Sequence, residues 1–343
     1  MLFSTCSGRE FAWKSGRVDS LYSVEINMLH LLALLSAGFA LAYAQSSPQC
    51  NAATNGSTFD GTAGSEQQYN ATTVRSIKAA DAVQGVAVDK DYFYSIDNFS
   101  ITKHNKTTGE SLLQWFGGKG GPIIHLDGGV VIDGIIYCPH SNYPQTPITS
   151  SVEMWNATTL GHIGSHPVGI YRGSLTWIGR DANGTFWGTF ANYDRVQHGQ
   201  TQPYGLTMNT QLVQFGPDWS VTRSWIFPDA LWGSFSPMSN SGGSFGPDGW
   251  LYITGHDDPA VYVLKVPSAG NIVVWVATIS VPDIGGQGIA WDRSDGRNGS
   301  LYGISRASTE VVEMKAPLQD CEWNTPTVVG AVYGPGSFID PEA

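Results

Sequence analysis

From about residue 80 onward the chain reads as short apolar runs separated by Asp- and Gly-rich breaks. The clearest unit is Ser244-Phe245-Gly246-Pro247-Asp248-Gly249-Trp250-Leu251-Tyr252-Ile253-Thr254, where an apolar strand enters a turn and a second strand opens on Leu-Tyr. Four more stretches follow the same plan. They are Val86-Ala87-Val88-Asp89 before Tyr92-Phe93-Tyr94, and Val130-Val131-Ile132-Asp133-Gly134 before Ile135-Ile136-Tyr137. Then come Trp177-Ile178-Gly179-Arg180-Asp181-Ala182-Asn183-Gly184 before Thr185-Phe186-Trp187, and Ile289-Ala290-Trp291-Asp292 before Leu301-Tyr302-Gly303-Ile304. Short apolar runs bounded by turn formers are strands rather than helices.

The turn aspartates Asp89, Asp133, Asp181, Asp248 and Asp292 are spaced by 44, 48, 67 and 44 residues. Units of this length with about four strand signals each predict an all-β fold, a single β-propeller. Five blades are expected, with six as the alternative. Each unit continues beyond its strand pair: the first adds Ser100-Ile101-Thr102-Lys103-His104 and Leu112-Leu113-Gln114-Trp115-Phe116. Alternation is clear in the third strands and poor in the first, as expected for inner strands buried on both faces and outer strands half exposed. The longest interval exceeds the 44-residue period by 23, which places an insertion in blade three at Asp194 to Met208. Long loops on a compact scaffold are commonly functional. Val74-Arg75-Ser76-Ile77-Lys78 and Thr327-Val328-Val329-Gly330-Ala331-Val332 both read as outer strands. Either one of them completes the last blade, or the two contribute to a sixth.

Composition agrees with this pattern. The 343 residues include 41 glycines and 12% aromatics, which suits short strands joined by tight turns. With 14% charged residues and a mean hydropathy of −0.12, the chain is not of the disordered class. Lys and Arg number 18 against 29 Asp and Glu, a net charge of −11. Such a surface repels phosphate backbones, so no nucleic-acid partner is expected. A monomer is expected.

Ahead of the repeat, Met28 opens an apolar stretch that closes on Ala42-Tyr43-Ala44, the form of a secretory signal cleaved before Gln45. It is short for a membrane span, and none is expected. Residues 1 to 27 are read as lying upstream of the true start at Met28, or as a long leader carrying Arg9, Lys14 and Arg17. Seven Asn-x-Ser/Thr sequons lie at Asn55, Asn70, Asn98, Asn105, Asn156, Asn183 and Asn298. Together they predict a secreted, extracellular glycoprotein with its sequons on exposed turns. The expected division is 1–44 leader, 45–73 polar lead-in, 74–335 propeller and 336–343 tail. Cys50 precedes the first repeat and Cys321 follows the last, so pairing them would staple the chain ends. A loop this long contributes about 4 to 5 kcal/mol on the chain-entropy model. Cys138, within Ile135-Ile136-Tyr137-Cys138, reads as a buried free thiol.

Propellers gather function at one end of the channel, where the inner strands begin and the second strands end. The inner strands begin near Gln84, His125, Arg172, Ser241 and Gln287. The second strands end in Asp97-Asn98, His140-Ser141-Asn142-Tyr143, Asn192-Tyr193-Asp194, His256-Asp257 and Arg306. From these we expect catalytic roles for His140, His256, Tyr193 and Asp257. Arg172, Arg306, Asp97, Asn142, Asp194 and Gln287 are expected to bind substrate. A histidine beside a carboxylate is held in one tautomer and serves as a general base. Arginines pair with a substrate carboxylate, and Tyr193 can protonate a leaving oxygen. Those are the needs of a lyase acting at a uronate, whereas hydrolysis needs two carboxylates at a set separation. His104, His162 and His198 are expected at the surface, and His166 toward the same channel end. No His or Cys spacing suits zinc.

The strand pairs, and Ser244-Phe245-Gly246-Pro247-Asp248-Gly249-Trp250-Leu251-Tyr252 above all, resemble the broad superfamily of gluconolactonase-like, NHL and YVTN-type propellers. The likeness covers roughly residues 80 to 320 and extends to secreted propellers of filamentous fungi. It implies the fold. Its gluconolactonase branch implies a divalent cation held on the axis by Glu, Asn and Asp, where this chain has Gln84, His125, Arg172, Ser241 and Gln287. Some secreted polysaccharide lyases are propellers with a histidine-centred site. The functional expectation is a carbohydrate-active lyase or hydrolase for acidic glycans. The alternatives are a lactone hydrolase and a non-catalytic propeller that binds a glycan or protein.

Overall fold

The computed structural model describes residues 68–318, except Tyr171 and His198. The chain divides into two units, Met1–Gln49 and Cys50–Ala343, and every described residue belongs to the second. The described chain is a five-bladed β-propeller. Each blade is built on four antiparallel strands, and in blades one to four the inner strand comes first of the four in sequence. Blade one is β3 (Gly85–Val88), β4 (Tyr92–Asp97), β5 (Ser100–Asn105) and β6 (Ser111–Phe116). Blade two is β7 (Val130–Ile132), β8 (Ile135–Ser141), β9 (Ser150–Asn156) and β10 (His162–Gly169). Blade three is β11 (Ser174–Arg180), β12 (Phe186–Ala191), β13 (Gln211–Phe215) and β14 (Val221–Ile226). Blade four is β15 (Gly242–Phe245), β16 (Leu251–Thr254), β17 (Ala260–Lys265) and β18 (Val274–Ser280). Blade five takes β19 (Ala290–Trp291), β20 (Leu301–Ser305) and β21 (Glu310–Lys315) from the end of the described chain and β2 (Thr72–Lys78) from its beginning.

That last pairing decides the blade count. β2 runs antiparallel to β21, from Thr72 beside Lys315 to Lys78 beside Glu310, and Arg75 meets Glu313 at 2.7 Å across the seam. The Val74–Lys78 stretch therefore completes blade five, and no sixth blade is present among the described residues. Thr327–Val332, Cys50, Cys321 and Asn55 lie outside the described residues. The expected polar lead-in needs correcting at its end. Gln68–Asn70 forms β1, a parallel fifth strand on β18 of blade four, and β2 already begins at Thr72. The polar residues of β1 suit an outer edge that faces water.

The core is a ring of five apolar clusters, one between each pair of neighbouring blades. Along β17, Val261 and Val263 pack with Trp291 and Leu301 of blade five, while Tyr262 and Leu264 pack with Trp177 and Trp187 of blade three. Period-two alternation here sorts side chains between two neighbours rather than between core and water. Outer strands show the other regime, with β6 exposed along most of its length. Cys138 is a free thiol buried in the cluster between blades one and two, as the sequence suggested.

The expected insertion is present as the connection between β12 and β13. A short helix, α1 (Asp229–Phe235), joins blades three and four. Among the described residues no helix is long and apolar enough to cross a membrane. His104 needs correction: it is buried, stacked on Phe93 at 4.6 Å and bonded to Ser95 Oγ at 3.0 Å.

At the start of three inner strands the backbones touch. A Cβ on Gly85 would lie 2.6 Å from Gly128 Cα and 3.0 Å from Gly288 Cα. A Cβ on Gly288 would meet Gly128 Cα at 2.6 Å and Gly85 Cα at 2.9 Å. Only glycine permits this approach. The residues just before these glycines line one cavity, and Val88, Val130 and Ala290 beyond them line another. The glycine contact thus lies between two separate mouths.

Candidate functional site

The mouth at the start of the inner strands is a cavity of about 440 Å³ to which all five blades contribute. Blade one supplies Gln84 and Asn98; blade two supplies His125, Asp127 and Tyr143. Thr176, Tyr193 and Arg195 come from blade three, Ser241 and His256 from blade four, and Gln287 and Arg306 from blade five. Its size lies in the usual range for small-molecule sites.

His256 sits on the wall with its Nδ1 2.6 Å from Asp257 Oδ1. The carboxylate accepts the Nδ1 proton, which leaves the lone pair on Nε2. Asp257 itself stands outside the cavity and is well exposed. The main-chain oxygen of His256 accepts from Gln287 Nε2 at 3.1 Å. Gln287 is buried with φ at 104°, a conformation that L side chains rarely adopt and that recurs at functional sites. It is held there because its N–H donates to Gly255 O and its carbonyl accepts from Thr254 Oγ1.

A chain of hydrogen bonds crosses the cavity from blade five to blade two. Arg306 donates from Nε to Val83 O at 2.7 Å and from Nη2 to Gln84 Oε1 at 3.0 Å. Gln84 Nε2 donates to Asn98 Oδ1 at 3.0 Å, and the same oxygen accepts from His125 Nδ1 at 2.7 Å. An amide oxygen only accepts, so His125 carries its proton on Nδ1 and turns Nε2 toward Asp127 Oδ1, 3.7 Å away. Burial pushes His125 down to about 4, with the charges of His140, Arg306 and His256 acting in the same direction. Asp127 is buried, and loss of solvent holds its carboxyl well above the ordinary aspartate range against the pull of Arg306. Its Oδ2 has no hydrogen-bond partner among the described residues. Burial, and then Asp127, push the Tyr193 hydroxyl up. The Tyr193 ring packs 5.0 Å from Tyr143, which lies 5.2 Å from His125.

Tyr193, His256, Gln287 and Arg306 are thus brought together, with Asp257 behind His256. The other expected residues lie elsewhere. His140 accepts from Ile124 N at 3.2 Å through Nε2 and bonds Ser151 Oγ at 2.9 Å through Nδ1, so both ring nitrogens hold the fold. Ser151 passes on to the buried Glu153, which also accepts from Ser165 and His162. Arg172 reaches Gln211 Oε1 at 3.3 Å and does not line the cavity. Asp97 accepts from the main-chain and side-chain nitrogens of Asn98. Asn142 closes its own loop through Pro147 O and Thr149 N. Asp194 ties the insertion down through Thr207 N and Ser236 Oγ. His162 pairs with Glu153, and His166 lies on an outer strand beside Trp219, away from the channel end proposed for it.

The sequence reading did not single out Asp127, Asn98, Arg195 or Tyr143 as site residues. Asn98 was read as a sequon. Its amide is half-buried and bonded to Asp97, Gln84 and His125. Asn70, Asn183 and Asn298 are exposed, whereas Asn105 and Asn156 are half-buried and accept turn N–H groups through Oδ1. For Asp127 the only available signal was its place next to Gly128 at an inner-strand start.

The divalent cation implied by the resemblance does not fit this cavity. Two guanidinium-bearing residues, Arg195 and Arg306, line it, and its one lining carboxyl among the described residues is Asp127, held toward neutrality. Among the described residues no three His, Cys, Asp or Glu groups gather as metal ligands.

No protein-family model and no curated protein matches this chain. Its likenesses are to solved propeller structures. A luciferin-regenerating enzyme shares 10% identity over 72% of this chain and 95% of its own, with a TM-score of 0.43. The PQQ-bound aldose sugar dehydrogenase of Streptomyces coelicolor shares 14% over 73% and 84%, with a TM-score of 0.42. A gluconolactonase of Xanthomonas campestris shares 11% over 68% and 71%, with a TM-score of 0.39. Likenesses this distant carry no argument about reaction or ligand.

Proposed function

We propose that this protein is a secreted, carbohydrate-active lyase that cleaves an acidic glycan by β-elimination at the cavity mouth. The observation that carries the reading is the pairing of His256 and Asp257 on the wall of a cavity that also presents Arg306. In a chain of net charge −11, the cavity is lined by two arginines and two histidines. Such a lining attracts a carboxylate-bearing substrate. In the proposed step Arg306 and Arg195 neutralise the substrate carboxylate. His256 Nε2 removes the α-proton, with Asp257 fixing the tautomer and stabilising the imidazolium that forms. His125, neutral, and Gln84 hold sugar hydroxyls. Hydrolysis by two carboxylates is less well served, because only Asp127 lines the cavity among the described residues. A metal-dependent lactonase is less well served for the reason of charge given above. The seven sequons and the leader support the extracellular assignment.

The test is a panel of acidic polysaccharides, followed together by the ultraviolet absorbance of unsaturated uronates and by reducing ends. New absorbance with matching reducing ends is expected, and it should vanish in His256→Ala. Reducing ends without absorbance would replace elimination by hydrolysis. Saturable binding with no product would make the propeller a binding module.

A further inference from the structure

Asp127 has no task in the step just described, yet its position is unusual. It lines the cavity with 4% of its surface exposed, and its Oδ2 is without a partner among the described residues. Its other oxygen faces His125 Nε2 at 3.7 Å. Arg306 and Tyr193 also interact with it electrostatically. Arg306 is engaged with Val83 O and Gln84 Oε1, and no salt bridge joins it to Asp127. Oδ2 has almost no accessible surface, so a molecule in the cavity meets the carboxyl through Oδ1, and an acid so poorly supplied with partners is open to a hydrogen bond from a ligand.

We propose that Asp127 is the catalytic acid of the site, entering the reaction as a carboxylic acid and giving its proton, from Oδ1, to the oxygen that leaves the substrate. This rests on the elimination reading. His256 Nε2 takes the proton α to the substrate carboxylate. The electron pair of that C–H bond forms a carbon–carbon double bond as the β carbon–oxygen bond breaks. The pair of the broken bond goes to the leaving oxygen, which takes the Asp127 proton and departs as an alcohol. His256 ends protonated and Asp127 ionised, and exchange with water restores both, so nothing is oxidised or reduced. Burial keeps the carboxyl neutral before the step, and Arg306 meets its charge afterwards. The substrate class follows: ethers of uronates whose leaving group is an alkoxide or a sugar oxygen, which departs poorly unless protonated.

Asp127→Asn keeps the shape and removes the acid. Difference infrared spectroscopy at neutral pH should show a protonated-carboxyl band in the wild type that is missing in the variant. Its absence from the wild type would overturn the proposal. Two uronates would then be compared, one with a nitrophenyl ether and one with a methyl ether at the β carbon. The variant should lose about 10²–10⁴-fold in kcat on the methyl ether and little on the nitrophenyl ether, which leaves without help. Equal loss on both, or full activity on both, would refute the acid role while elimination stands. Turnover of neither ether by the wild type would end the elimination reading and the acid role with it.

Discussion

Aspartates at the turn of each strand pair do the same small job in three blades. One carboxylate oxygen caps the turn and the other holds the polar edge of an aromatic on the second strand. Asp89 takes Tyr92 N and Tyr94 Oη, Asp181 takes Thr185 N and Trp187 Nε1, and Asp248 takes Trp250 N and Tyr252 Oη. The Asp-to-aromatic spacing that marked the repeat is therefore a hydrogen bond written into the sequence, and it was legible because it is local. Site residues were less legible. His256 and His140 stand at equivalent places, yet one faces the cavity and the other bonds Ser151, since a shift of one residue turns a strand side chain to the opposite face. His256→Ala should lower kcat by about 10²–10⁴-fold with an unchanged circular-dichroism spectrum. A loss of that spectrum would make its role structural. His125 makes stability depend on pH. Its folded value is about 4, below the ordinary 6.5, so the unfolded chain binds the proton more readily between those values. Stability should be complete above 6.5 and fall by up to about 3 kcal/mol as pH drops toward 4. Urea titrations of wild type and His125→Gln across that window check this; parallel curves would refute it.

At the scale of elements, the two ends of the described chain depend on each other. β2 supplies the outer edge of blade five, and β1 adds to blade four, so one eleven-residue stretch from Gln68 to Lys78 clamps two blades. Deleting 68–78 should abolish the single cooperative melting transition, and calorimetry would show it. Survival of that transition would mean the ring closes by other means. The rim above the cavity is built by two loops that touch, with Gln200 Nε2 donating to Thr146 Oγ1 at 2.7 Å. The insertion was visible as an excess over the blade period, but its partner loop was not, because their meeting depends on how two neighbouring blades are set.

For the whole molecule, closure of five blades forces the inner strands so close that three glycines meet on their backbones. Gly128→Val should overpack this contact and cost about 1–3 kcal/mol, read as a lower urea midpoint at unchanged slope. No change would mean the waist can open. The same convergence draws Asn98 into the cavity wall. Glycopeptide mapping after expression in a eukaryotic secretory host should find Asn98 unmodified beside sugar at Asn70, Asn183 or Asn298. A glycan on Asn98 would show that the chain linking Arg306, Gln84 and His125 is not formed.

The order of strands within a blade, their turns, the blade period and the insertion were determined by the sequence alone, whereas the pairing of β2 with β21 decided five blades against six. They arise from contacts between residues close in the chain, namely capped turns and alternating apolar positions. The tertiary structure alone decided which polar groups share the cavity and what their protons do. Arg306 comes from blade five and His125 and Asp127 from the entry to blade two, and ring closure brings them together. Their environment is made by water's exclusion from the axis, a property that no stretch of the chain carries by itself.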